Sequence, residues 1–442
     1  MTKDKKDGDE PPRNRGKRND NKEDSNQPPK RRRRNNPPTP PPEDTPLHIF
    51  FQMPPPFMNG LGGLGGGNTN DGIPAKYKQL KERIMASNMD EKVKETVLLR
   101  LKTIDSDKQK HLEWFELLLK IPFKKFSNIP VSKDDGEEKL SNYFDSVYET
   151  LDKATYGMQQ VKEEIVNFVA QIVSTNNTNM PRIIGLHGSA GVGKTALIRR
   201  GLSECLKRPM KNFSCGGIRD SAFLNGFSFT YSGSRPGAIV NGLIDTGSMN
   251  SIFFFDELDK ISTTNDGIDI QNMLIHLTDP VQNNDFQDKY FEGIPIDLSK
   301  IIFIFSFNDI GLISPILKDR LHIIKVPDPD IKEKVIIGTK YLTKELYPNI
   351  GLKDEDIVFS EDIMRYIIKE HCEHDKGVRN LKRCIETILL KINTARFIGK
   401  RNKYKSLKGK LTFPTQVTTD MVDELIDKNK NEKDEFFRSM FI

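Results

Sequence analysis

Gly188-Ser189-Ala190-Gly191-Val192-Gly193-Lys194-Thr195 sets small residues, a lysine and a hydroxyl at the spacing G-x-x-x-x-G-K-[ST]. Residues this small let successive backbone N–H groups curl around an anion. A helix placed directly after them aims the positive end of its dipole at the same charge. In that arrangement Lys194 reaches the terminal phosphates of a nucleotide and the Thr195 hydroxyl binds Mg²⁺. The flanks suit the purpose: Arg182-Ile183-Ile184-Gly185-Leu186-His187 is short and mostly apolar, as a buried strand is, and Ala196-Leu197-Ile198-Arg199-Arg200 starts a helix. The alternative is a glycine turn with no ligand, against which the full spacing and the strand–loop–helix setting both weigh.

Ile252-Phe253-Phe254-Phe255-Asp256-Glu257 is an apolar strand that ends in two carboxylates. Such a strand end can hold one acid toward a metal ion and set the next beside an attacking water. Asp256 is therefore assigned to Mg²⁺ and Glu257 to the general-base or water-orienting role. Asn308, after the strand 301–306, is a candidate to hold the lytic water or the γ-phosphate. Arg320, in Pro315-Ile316-Leu317-Lys318-Asp319-Arg320, is a candidate arginine finger for a neighbouring site, a group worth roughly 10³–10⁵ in rate. Arg379, in Gly377-Val378-Arg379-Asn380, is a candidate phosphate sensor. For either arginine a surface salt bridge is the alternative.

The elements that must carry these groups are legible in outline. Residues 76–126 read as helices, with Leu80, Ile84, Val93, Val97, Leu98 and Leu101 at helix-like intervals, and the chain's only tryptophan, Trp114, is assigned to helix–helix packing. An amphipathic segment begins near Tyr143. Helix, strand and loop then alternate to about Val326, which predicts an α/β layer with a mainly parallel sheet. Its strands are expected at 183–186, 212–214, 252–256, 301–306 and 323–326. From Asp330 to Ala395 the pattern is helical, a separate small α-domain, and residues 411–426 add a short strand and one more helix. The resulting division is 1–75 tail, 76–142 helical segment, 143–328 α/β domain, 329–425 α-helical domain and 426–442 tail. No internal repeat is present.

Residues 1–45 hold 13 Lys/Arg and 9 Asp/Glu, whereas the whole chain of 442 residues carries a net +6, so the remainder is close to neutral. Few aliphatic residues precede Leu47, and such a segment cannot bury enough apolar surface to offset the entropy of ordering, so disorder is expected over 1–74. The cluster Lys30-Arg31-Arg32-Arg33-Arg34 suits nuclear import, nucleic-acid phosphate binding or simple solubilisation. The apolar island Leu47–Met53 is either a docking peptide or a linker remnant. No apolar run is long enough to span a bilayer and no h-region follows the charged N-terminus. Cys205, Cys215, Cys372 and Cys384 lack metal-ligand spacing, which favours a reducing compartment, cytoplasmic or nuclear. His371 and His374 are expected on a helix surface.

Taken together, the motifs resemble the ATPase part of the Lon family, an AAA+ group. Phe213-Ser214-Cys215-Gly216-Gly217-Ile218-Arg219-Asp220 resembles the family's F-S-x-G-G-x-x-D. Gly226 to Gly237, with Thr230-Tyr231 and Pro236-Gly237, is similar to its G-x-x-x-T-Y-[VI]-G-x-x-P-G. Asp256-Glu257-Leu258-Asp259-Lys260, Leu277-Thr278-Asp279-Pro280-Val281-Gln282-Asn283, Gly377-Val378-Arg379 and the segment from Trp114 to Phe123 each have a counterpart. The resemblance covers about residues 76–425.

The resemblance implies a P-loop AAA+ domain with a helical lid, ATP and Mg²⁺ as ligands, and a homo-hexameric ring whose sites are completed by a neighbour's Arg320. It makes Arg379 a lid sensor, Tyr156 and Gly157 part of the adenine pocket, and Tyr231 a pore-loop residue that grips protein clients; an ordinary core position is the alternative for Tyr231. Ser232 stands where the family has a branched aliphatic residue, and Arg235 is also unusual. No Gly-Pro-Ser-Ala-Gly-like nucleophile motif occurs before the sequence stops at Ile442, so peptidase activity is not expected in the chain itself. Four functions stand as expectations. The first is an ATP-driven unfoldase or remodeller. The others are the motor half of a split protease with a separate peptidase, a nucleic-acid-associated ATPase recruited by Lys30–Arg34, and a nucleotide-gated scaffold. The paired acids disfavour the last.

Overall fold

Short apolar stretches, richest in isoleucine and phenylalanine at the centre, make the strands of a five-stranded parallel sheet. In the computed structural model these are β1 (Ile183–His187), β2 (Met210–Ser214), β3 (Ile252–Asp256), β4 (Ile302–Phe307) and β5 (Leu321–Lys325), in the order β2-β3-β4-β1-β5. The structure describes residues 72–103, 108–176, 183–262, 264–354, 356–398, 401–407 and 413–426, all within the unit Asn68–Ile442. The basic run 30–34 and the island 47–53 lie outside them.

β4 is buried at every position and has no polar residue but Ser306, as a central parallel strand covered on both faces requires. The edge strands β2 and β5 start at Met210 and Leu321 rather than at Asn212 and Ile323. An edge tolerates partly exposed Lys211 and His322, so the pattern there is less apolar than the strand is long. Side chains alternate between faces. Phe253, Phe255, Phe303 and Phe305 join one core; Ile252, Phe254, Ile302 and Ile304 join the other. Across the first face Phe255 stacks on Phe213 at 4.7 Å and on Phe305 at 5.1 Å between ring centroids.

That face is covered by the helix Ala238–Thr246, whose Gly242 lies against Phe213 and Phe253, and the same core extends into the N-terminal helices Gly72–Ala86, Glu91–Lys102 and Lys108–Leu118 through Leu80, Ile84, Val93, Val97 and Phe115. Trp114 does more than pack helix on helix. It is fully buried, donates its indole N–H to the carbonyl of Tyr290 at 2.9 Å, and lies against Phe291, tying these helices to the loop after the short hairpin strand Phe286–Gln287. The other face is covered by Glu137–Ala154 and Gln159–Ser174. The first of these begins at Glu137 rather than near Tyr143, because Glu137 and Glu138 suit the positive end of a helix.

Residues 326–330 lead out of the sheet through Pro327 and Pro329 to Asp330, which caps the next helix in a reciprocal box with Glu333. From there the chain forms a helical lid with a core of its own, built on Ile331–Ile336, Glu361–His371, Arg379–Ile398 and Thr419–Leu425, with a short parallel pair Ile357–Val358 and Thr415–Gln416. His371 closes its helix as a buried residue, not on the surface, because it lies on the apolar side of a strongly amphipathic helix with Met364, Ile367 and Ile368; His374 is exposed. Cys205, Cys215 and Cys372 are buried and all four cysteines are unbridged. No helix of the described residues is long and apolar enough to cross a membrane.

Candidate functional site

The loop 188–193 hangs from the end of β1, and its shape needs glycine at specific points. Gly191 and Gly193 sit at φ +79° and +104°, where L side chains are strained. At Gly188 a Cβ would lie 2.6 Å from the carbonyl oxygen of Val326. Ser189, Ala190 and Val192 complete the loop, Val192 anchoring it in the core beside Leu186. Helix begins at Lys194. The buried Lys194 ammonium donates to the carbonyls of Gly188 (2.6 Å) and Ser189 (3.0 Å) and to Asn308 Oδ1 (2.8 Å). Burial lowers its pKa; the nearby Asp256 and Asp259 carboxylates act in the opposite direction.

Parallel register brings the acidic strand end alongside. β3 and β4 pair Phe255 with Phe305, and β1 and β4 pair Leu186 with Ser306. Thr195 Oγ1 therefore donates to Asp256 Oδ2 at 3.0 Å. The other carboxylate oxygen of Asp256 accepts from the Ser306 hydroxyl and, at 3.1 Å, from the Glu257 backbone N–H. Glu257 itself takes a left-handed backbone conformation, φ +60°, an uncommon one for a non-glycine residue. The backbone N–H of Asn308 donates to the buried Asp259 at 3.1 Å, which fixes the strand end whose side chain meets Lys194.

The lid closes the far side. The backbone N–H of Val378 donates to the carbonyl of Gly191 at 3.1 Å, and Gly377 lies so close that a Cβ there would come within 2.4 Å of the Ala190 carbonyl oxygen. Arg379 is next, its Cβ against Gly191, and Lys382 on the following turn pairs with Glu345. The result is a cleft of about 240 Å³ lined by loop residues with Lys194, Thr195, Asp256, Glu257, Asn308 and Arg379. Tyr156 and Gly157 are not in that lining but adjoin it: their neighbours Thr155 and Met158 face Gly193, and Tyr156 packs 6.2 Å from Tyr341 of the lid. The donor set fits a triphosphate and a hard divalent cation, with a glycine cradle, a lysine, a hydroxyl and a carboxylate oxygen converging on one space.

Two candidates lie elsewhere. Arg320 does not reach this cleft in its own chain. It donates to the carbonyl of Ile275 and to Asp279, and it lines a second cleft of about 930 Å³ with Lys300 and His322. Tyr231 is 69% exposed at the tip of the loop 226–237, which disposes of a core position. The base of that loop is pinned by the fully buried Asp288, which accepts from the Gly237 N–H at 2.7 Å and the Tyr290 N–H at 2.8 Å.

Three residues of these constellations escape a motif reading. Ser306 is the one hydroxyl in an otherwise apolar buried strand, a signal that is present in the sequence. Asp259 lies inside a motif without a role. Asp288 has no local signal, since its partner Gly237 is far away in sequence.

Residues 184–328 match the model of the ATPase family associated with various cellular activities (AAA), and residues 349–405 match the Lon protease AAA+ ATPase lid domain. The chain is 40% identical over 271 residues to a Lon protease homolog of Acanthamoeba polyphaga mimivirus, covering 61% of this chain and 26% of that protein. It is 32% identical over 368 residues to a Lon protease of Cytophaga hutchinsonii, covering 81% and 42%. It is 36% identical over 244 residues to a mitochondrial Lon protease homolog of Drosophila melanogaster, covering 55% and 23%. The chain thus spans less than half the length of each of these relatives.

Proposed function

This chain carries a Lon-family AAA+ ATPase module, and from that premise we propose that it hydrolyses ATP to drive protein clients through the pore of a homo-hexameric ring. The observation that carries the reading is the convergence of Lys194, Thr195, Asp256, Glu257, Asn308 and Arg379 on one cleft.

In this reading Lys194 leaves the carbonyls of Gly188 and Ser189 for the phosphate oxygens of ATP, and Asn308, already hydrogen-bonded to Lys194, orients the γ-phosphate or the water. Thr195 and Asp256 would hold Mg²⁺, which when bound neutralises charge on the β- and γ-phosphates. Glu257 accepts a proton from the attacking water. Tyr156 and Gly157 flank the adenine, Arg379 links phosphate occupancy to lid position, and Arg320 reaches the site of the adjoining subunit. Tyr231 offers an exposed aromatic ring on a loop with glycines at both ends, a group that can wedge between side chains of an extended polypeptide without reading sequence.

The test is Glu257→Gln in the full chain. ATP binding is retained and hydrolysis is lost, and a pull-down with this ATP-locked variant retains clients and any separate peptidase. Turnover like that of the wild type removes Glu257 from the base role.

A further inference from the structure

The Tyr231 loop is gripped from outside the α/β domain. Two residues before Tyr231, the ring of Phe229 turns inward and packs edge-on against Tyr290 at 5.7 Å and against the His111 ring at 4.9 Å. Two cations from the N-terminal helices stand over the same ring. The Arg100 guanidinium carbon lies 4.8 Å from its centroid, and Lys110 Nζ lies 4.7 Å from it. Arg100 also lies 4.2 Å from the Trp114 ring, so one guanidinium bridges two aromatic faces. Lys110 uses the same ammonium to donate to the backbone carbonyl of Tyr231 at 2.9 Å. The loop itself is closed by short bonds, Tyr231 N–H to the Ser228 carbonyl at 3.1 Å and Ser234 N–H to the Tyr231 carbonyl at 3.3 Å. A displacement of Phe229 therefore carries Tyr231 with it.

We infer that Arg100 and Lys110 are positioning residues for the client-gripping loop: the N-terminal helices hold Tyr231 at its working height through a cation–aromatic clamp on Phe229. This rests on reading Tyr231 as the residue that grips protein. A cation over an aromatic face is attracted by the ring's quadrupole, and the attraction grows as water is excluded. The clamp is built from two cations on separate helices acting on one ring. It resists lateral motion of the loop while leaving the Tyr231 side chain in solvent. It also makes the N-terminal helices the route by which a force on them reaches the pore loop.

The test measures ATP turnover of the full chain with and without casein as an unfolded client. Arg100→Met and Lys110→Met keep the apolar stems and remove the cations. The casein concentration giving half-maximal stimulation rises about tenfold, the ratio produced by about 1.4 kcal/mol of lost loop preorganisation. Turnover without casein stays within about twofold of wild type, and Arg100→Lys with Lys110→Arg restores the casein response. Should Arg100→Met fail to fold, Lys110→Met alone decides, since Lys110 is not a core residue. An unchanged casein response in the Met variants, while Tyr231→Ala abolishes it, overturns the clamp and leaves the gripping role of Tyr231 standing. A casein response that survives Tyr231→Ala overturns that role and the clamp with it. Equal loss of stimulated and unstimulated turnover, or failure of the Lys and Arg variants to rescue, also overturns the clamp.

Discussion

Gly377→Ala tests how the lid meets the phosphate loop, and its effect can be worked from distances. The added Cβ would lie 2.4 Å from the Ala190 carbonyl oxygen and 2.7 Å from the Gly191 carbonyl carbon. Ordinary contact begins near 3.4 Å, so the lid segment or the loop must retreat by about 1 Å. Both partners are backbone, so no side chain can swing aside. Gly377 is not among the positive-φ glycines, so the substitution adds bulk without forcing a left-handed conformation. A retreat of that size stretches the bond from the Val378 N–H to the Gly191 carbonyl, now 3.1 Å, beyond useful length. Losing that bond costs about 1 kcal/mol and the overpacking at least about 1 kcal/mol more. Where bound nucleotide requires a docked lid, about 2 kcal/mol weakens binding roughly thirtyfold. The assay is titration of a fluorescent ATP analogue with Mg²⁺ against the full chain, with circular dichroism to verify folding. An affinity within about threefold of wild type, a change of about 0.6 kcal/mol, would refute the claim that this contact governs nucleotide retention.

Three other contacts give further outcomes. Ser306→Ala removes a donor to Asp256 and raises the Mg²⁺ concentration for half-maximal turnover about tenfold; an unchanged Mg²⁺ dependence refutes a positioning role for Ser306. Burial pushes the Asp288 carboxyl up to about 6, so the folded state binds its proton more tightly than the unfolded chain does. Its effect on stability is therefore a penalty that is absent at low pH, grows as pH rises from about 4 to about 6 and is complete above that, reaching about 3 kcal/mol. Asp288→Asn removes this slope, so the stability gap between wild type and variant, read by Trp114 fluorescence during urea unfolding, changes between pH about 4 and about 7; a constant gap refutes the assignment. In mixed assemblies, Arg320→Ala subunits depress turnover at adjoining wild-type sites, by roughly 10³-fold or more at each affected site. Full activity from an isolated subunit carrying the substitution rules out action in trans.

The parts of the fold that sequence reveals best are those where local chemistry is unambiguous. β3 and β4 are runs of isoleucine and phenylalanine because both faces are covered, and the glycine loop announces itself because few other residues tolerate its backbone. The strand ends at β2 and β5 blur because edge positions accept Lys211 and His322. Contacts between distant segments leave no local trace. Nothing near Phe229 indicates that Arg100 will stand over it, and nothing near Asp288 indicates that it will pin Gly237. Trp114 is legible as buried, since a lone tryptophan in an amphipathic helix has few other homes. Its tie to Tyr290 depends on how the helices dock. Asp256 and Glu257 are legible as a pair, whereas the contribution of Ser306 emerges only once β4 lies beside β3 in register.

The connection between sheet and lid has an entropic consequence. Residues 326–330 carry Pro327 and Pro329, and each ring fixes its own φ and restricts the residue before it to extended backbone. A glycine-rich hinge of the same length would let the undocked lid wander over many orientations, all of which closure would have to give up. In the proposed cycle, a lid that undocks would keep fewer soft torsions here and sample a narrower set of arrangements than on a glycine hinge. Docking of Gly377 and Arg379 onto the phosphate loop thus forfeits little disorder. In the proposed cycle, more of a bound nucleotide's interaction energy would then remain for moving the lid.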